Sequence, residues 1–115
     1  VEIHFLPSTK VLMNDEAAID RVKRIIETSY SKLPNGAPRY VDLEHPITGG
    51  EDFASIVKEI PGAFVFMGAC PPERDHTKAE TNHSNKAVFD DSTLHEGSAL
   101  LAALAFDTLD EAAAN

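Results

Sequence analysis

The chain has a single cysteine, Cys70, so it forms no internal disulfide and no cysteine-based zinc knuckle. An intracellular, reducing compartment is compatible with that, and we expect a cytoplasmic protein. No apolar run approaches the roughly 20 residues that cross a bilayer, which excludes a transmembrane protein. The N-terminal Val1-Glu2-Ile3-His4-Phe5-Leu6 has no basic leader and no small-residue cleavage site, so it does not read as a signal peptide. It also lacks an initiator methionine and begins in mid-strand, and we expect polypeptide upstream of it. Basic residues are scarce, 10 Lys and Arg against 19 Asp and Glu, for a net charge of −9. With no basic stripe to displace counterions, neither nucleic acid nor an anionic membrane is expected as a partner.

What is present is ordinary for a globular domain: 43% hydrophobic and 25% charged residues over 115 positions. Residues 1–6 alternate, with Val1, Ile3 and Phe5 opposite Glu2 and His4, which predicts a half-buried strand. Pro7 ends it and an extended connector follows. Asn14 is the expected N-cap of a helix over about 15–30, with Ile19, Val22, Ile25, Ile26 and Tyr30 on one face. Pro34-Asn35-Gly36-Ala37-Pro38 is turn chemistry. Residues 39–44 read as a short strand.

After the glycine turn at 46–50, Glu51-Asp52-Phe53 opens a second predicted helix with Phe53, Ile56, Val57 and Ile60 on one face. Pro61-Gly62 stops it. Ala63-Phe64-Val65-Phe66-Met67 is an apolar run between glycines, the pattern of a strand buried on both faces. A polar, histidine-bearing loop occupies 69–91. A third helix begins at Ser92 or Thr93, with Thr93 and Glu96 as a capping box. The order strand–helix–strand–helix–strand–helix predicts an α/β fold. The 63–67 strand has few neighbours to pair with, which suggests a part of a larger sheet.

Several residues could carry chemistry. His83 lies in a loop between a buried-type strand and a capped helix, where α/β proteins place functional groups, and imidazole is the commonest metal ligand. The plain alternative is a solvated loop histidine. His76, seven residues earlier, has no spacing that favours a shared metal, and His4, His45 and His95 have bland explanations. Gly49 and Gly50 before a helix start let a backbone approach a ligand, although Glu51 and Asp52 also serve as first-turn carboxylates. Asp90-Asp91 are more economically read as satisfying the amides of the third helix than as acid–base groups. Cys70 has no base beside it to make it a nucleophile.

Taken together, Gly49-Gly50-Glu51-Asp52-Phe53, then Pro61-Gly62-Ala63-Phe64 leading into Phe66-Met67-Gly68, then His83-Ser84-Asn85-Lys86 ending in Phe89-Asp90-Asp91, followed by Leu94 and Gly97-Ser98-Ala99-Leu100-Leu101, resemble one family. It is the amidohydrolase branch of the co-catalytic, two-metal metallopeptidases, which includes hippurate hydrolases, indole-acetyl-amino-acid hydrolases and N-acyl-amino-acid deacylases. The match in order and spacing runs over about 47–106.

The resemblance implies that residues 1–6 are the last strand of a lid, or dimerisation, domain, 7–14 a hinge connector, and 15–115 the C-terminal portion of a catalytic domain. It implies that His83 is a metal ligand, with Asn85 where the family usually has proline. Gly49, Gly50 and Glu51 would support a substrate-binding cleft. Two divalent ions, zinc or manganese, would activate a water for attack on the amide of an N-acyl amino acid or small peptide. The family's His-x-Cys-Gly-His-Asp motif, its Glu-Glu pair and its lid histidine have no counterpart here. The chain alone is therefore expected to be inactive, with the remainder of the amidohydrolase as its partner. Self-association into a homo-oligomer through the unpaired 63–67 edge is also expected. Two other readings stand beside this one: a non-catalytic binding or complementation module, and a free-standing metal-binding domain built on His76 and His83.

Overall fold

A computed structural model describes residues 1–4, 9–30, 32–47 and 49–114. The elements are α1 (Glu16–Ser29), a single turn α2 (Ala54–Val57), a 3-10 turn over Asp91–Thr93, and α3 (Leu94–Ala114). The chain falls into two compact units, Val1–Phe64 and Val65–Asn115.

In the first unit, α1 forms where the apolar spacing predicts it. Val22 and Ile25, one helical turn apart, are buried, and Ile19 and Ile26 flank them half-buried. The cap lies one residue later than the sequence suggests: the Asp15 carboxylate accepts from Ala18 N at 2.9 Å, and Glu16 opens the first turn. Asn14 is released for another task. Its Nδ2 donates to Phe64 O at 3.0 Å and its Oδ1 accepts from Phe64 N at 2.8 Å. Beside that pair, Asp15 N donates to Gly62 O at 3.0 Å. The predicted second helix is reduced to α2 with flanking turns. Ala54 is its buried residue, while Ile56 and Ile60 stand exposed. The Phe53 ring lies 5.9 Å from that of Phe64, tilted by 46°.

No strand or sheet is present among the described residues, so the expected α/β fold is not what forms. Residues 1–4, 39–44 and 63–67 are irregular, and Phe5 and Leu6 of the first predicted strand lie outside the described residues. The physical reason is pairing. A strand exists through hydrogen bonds to a neighbour, and alternation or apolarity marks a segment as suited to a sheet without supplying its partner. At Phe64 the Asn14 amide takes the place of an adjacent strand, offering one donor and one acceptor to the backbone.

In the second unit a polar excursion is tied at its base, where Asp90 N donates to Ala69 O at 2.8 Å. Within it the chain advances by successive turns, closed by Arg74 N to Pro71 O, Lys78 N to Asp75 O, Ser84 N to Thr81 O and Ala87 N to Ser84 O. Asp90 then caps the 3-10 turn, its carboxylate accepting from Ser92 N at 2.9 Å. The Thr93 hydroxyl donates back to Asp90 O, so the helix start is organised by Asp90. None of the 21 residues of α3 is buried. A helix apolar on most of its circumference normally lies inside a larger body.

Candidate metal-ligand loop

The loop that carries His83 is ordered by its backbone. The Thr81–Ser84 and Ser84–Ala87 turns share Ser84, whose hydroxyl also accepts from Lys86 N at 3.1 Å. These bonds hold the stretch around His83 and leave its imidazole exposed at the turn. With Ala69 and Asp90 joined at the base, the loop's ends are fixed while its tip faces solvent. Such a residue is accessible to an ion, to which it could offer one imidazole nitrogen.

His76 is exposed in the preceding turn. Its neighbour Asp75 accepts from Thr77 N and Thr77 Oγ1 and pairs with Lys78 at 3.1 Å. Hydrogen bonds from Thr77 and then Lys78 hold the Asp75 carboxyl below the usual range, so this carboxylate is engaged locally. Arg74, Asp75, Lys78, Ala79 and Glu80 line a shallow, open depression. Cys70 is a free thiol, with weak contacts to the carbonyls of Pro71 and Arg74.

In the other unit, the glycine turn has a mechanical explanation. Gly49 and Gly50 are exposed, and a Cβ on Gly50 would stand 2.5 Å from Thr9 Oγ1, so only glycine fits without moving that side chain. Glu51 accepts from the backbone N of Phe53 at 3.1 Å, the first-turn task that its position suggests. A second polar cluster, not anticipated from the sequence, pins residues 40–42 to α1. Lys23 Nζ lies 3.1 Å from Asp42 Oδ2, and Tyr40 Oη donates to Asp42 Oδ1 at 3.0 Å. The hydrogen bonds from Lys23 and Tyr40 lower the Asp42 pKa. Burial, followed by the bond to Asp42, raises that of Tyr40.

Among the described residues, no three His, Cys, Asp or Glu side chains come together in a way that could hold a metal ion. The sequence nonetheless matches the family model described as Peptidase family M20/M25/M40, over residues 1–107. The chain belongs to this peptidase family. No curated protein and no solved structure matches it.

Peptidases of this family are generally metal-dependent. The described residues do not by themselves fit that requirement, since a catalytic centre needs several converging ligands and the loop offers His83 singly. The sequence resemblance is thus upheld for the family as a whole, a family of hydrolases. The helices include none long and apolar enough to cross a membrane, among the described residues.

Proposed function

We propose that this chain is part of a metal-dependent amidohydrolase that cleaves the amide bond of N-acyl amino acids or small peptides, and that His83 is its contribution to the metal centre. One observation carries the reading: the family match covers nearly the whole chain while the described residues hold no complete ligand set. On this reading, polypeptide beyond these residues supplies the remaining ligands and the general base.

The turn geometry supports the assignment to His83. Its backbone is fixed on both sides by hydrogen bonds and its ring is open to solvent, as a ligand donated to a shared site requires. Gly49, Gly50 and Glu51 are assigned to the border of the substrate cleft, with Glu51 holding the local turn. Residues 1–6 are assigned to a lid domain, 7–14 to the hinge and 15–115 to the catalytic domain. In this scheme zinc or manganese supplies the Lewis acidity, and this chain's part is to hold and orient one ligand.

Titration of the 115-residue chain with zinc and with manganese, followed by calorimetry, tests the division of labour. A lone imidazole should bind either ion weakly and without defined stoichiometry. Tight one-to-one binding by the chain alone would replace the proposal with a free-standing metal domain.

A further inference from the structure

Asn35 stands exposed in the turn after α1 and is the only asparagine of the chain followed by glycine. Gly36 has φ +80°. Among the described residues beyond its chain neighbours, nothing lies within 4 Å of where its Cβ would stand, so its backbone nitrogen is unshielded on that side. The Asn35 amide is drawn forward along the turn, its Oδ1 accepting from Ala37 N at 3.0 Å. That donor points at the oxygen on which negative charge develops when a nucleophile adds to Cγ. The other described asparagines differ. Asn14, Asn82 and Asn85 precede Asp15, His83 and Lys86, whose side chains crowd the following nitrogen. Asn14 also has both ends of its amide held by Phe64.

We propose that Asn35 is a deamidation site, converted through a cyclic imide to a mixture of aspartate and isoaspartate, with water as the sole co-reactant. Gly36 N attacks Cγ, so an N–Cγ bond forms and the Cγ–Nδ2 bond breaks. The side-chain nitrogen leaves as ammonia, in balance with the proton that Gly36 N gives up. Water then opens the imide at either carbonyl, and no group is oxidised or reduced. Opening at Cγ gives aspartate. Opening at the backbone carbonyl carbon gives isoaspartate, with the main chain rerouted through Cβ and Cγ.

One bond opposes the step: Gly36 N donates to Leu33 O at 2.8 Å. An exposed bond of this kind slows the reaction by roughly tenfold at most, so it sets the pace without closing the route. The isoaspartyl product lengthens the main chain inside the turn that Leu33 N closes on Ala37 O at 3.1 Å. Either product adds a carboxylate to a chain already at −9. Conversion thus changes the charge and the length of the segment that leads from α1 to Asp42, the partner of Lys23.

The 115-residue chain, held at mildly alkaline pH, sampled over days and mapped by mass spectrometry with electron-transfer fragmentation, reads each asparagine separately. Asn35 should convert about tenfold or more faster than Asn14, Asn82 or Asn85, to both aspartate and isoaspartate. The rate should rise with pH, because Gly36 N must lose its proton. Gly36→Ala sets a methyl beside the attacking nitrogen and should slow the conversion by about tenfold or more. Alanine is strained at a φ of +80°, so a second reading uses the unaltered chain. Hydroxylamine should capture the imide and split the chain between Asn35 and Gly36. Conversion no faster at Asn35 than at the other asparagines overturns the proposal. So does aspartate without isoaspartate, or the absence of the hydroxylamine fragments. None of these readouts involves metal, so the outcome is separable from the role of His83.

Discussion

Asn14 and Phe64, fifty residues apart, are joined by a closed ring of two hydrogen bonds between a side-chain amide and a backbone. With Asp15 N bonded to Gly62 O beside it, the start of α1 is stapled to the segment after α2. The staple gives the first unit its long-range closure, and the Phe53–Phe64 ring contact lies next to it.

Asn14→Ala removes both bonds, and we expect a loss of about 1–2 kcal/mol, at the usual net worth of such bonds. Asn14→Asp retains the acceptor for Phe64 N and loses the donor to Phe64 O. It also sets a carboxylate against a carbonyl, so it should not rescue the alanine variant. Urea unfolding of the three proteins decides this, and equal midpoints would show that the ring contributes nothing.

Gly50→Ala should be destabilising because its Cβ meets Thr9 Oγ1. The effect should shrink when Thr9 is also replaced by alanine, with a coupling of about 0.5–3 kcal/mol typical of residues in contact. A double-mutant cycle on thermal unfolding measures it. Strict additivity would mean that the turn is not held against Thr9.

Gly97 gives a contrasting case. A Cβ there comes to 3.1 Å from the thioether end of Met67, a flexible group that can swing aside. Gly97→Ala is expected to be neutral or to gain up to about 1 kcal/mol from helix propensity. Gly97→Val adds bulk that Met67 cannot yield to and should destabilise. Thermal melts of both variants check the ordering.

The acid limb of stability follows from three aspartates. Asp42, Asp75 and Asp90 all titrate below their ordinary range: Asp42 through bonds from Lys23 and Tyr40, Asp75 through Thr77 and Lys78, Asp90 through Ser92. A depressed folded-state pKa contributes stability that is complete above the unfolded value, about 3.9 for aspartate, and is lost as pH falls through the folded value. Lys23 runs the other way. Its pKa is raised, chiefly by the bond to Asp42, so its contribution disappears only as pH rises through that value. Helicity followed by circular dichroism should hold from neutral pH to about 4 and decline below it. Asp90→Asn should lower stability at neutral pH and shrink the loss on acidification, since the contribution of the ionised Asp90 is already absent, and an unchanged profile would remove Asp90 from the account.

The sequence was legible where local rules decide the outcome. The apolar spacing from Ile19 to Tyr30 placed α1, and Asp90, read as serving the amides of the last helix, caps the 3-10 turn that leads into it. It was misleading where a partner decides. The run at 63–67 has the composition of a buried strand, but no ladder forms among the described residues, and the α/β expectation fell with it. The capping expectations at Asn14 and Thr93 moved to Asp15 and Asp90 because the long-range bond to Phe64 and the 3-10 turn had a prior claim on those segments. Neither the Asn14 ring nor the Ala69–Asp90 closure that frames the His83 loop has a periodic signature, so sequence spacing could not show them. His83 was singled out as a candidate through the order of motifs around it, since a single histidine in a polar loop carries no such signal by itself.

The role of His83 is tested most directly by elemental analysis of metal in the hydrolase that contains this chain, comparing the unaltered protein with His83→Ala and with His76→Ala. The account predicts that His83→Ala loses about one equivalent of bound metal per chain, and with it hydrolysis of an N-acyl amino acid, by about 100-fold or more as for the loss of a principal catalytic element. The His76→Ala protein should keep both. Full metal content and activity in His83→Ala would contradict the account.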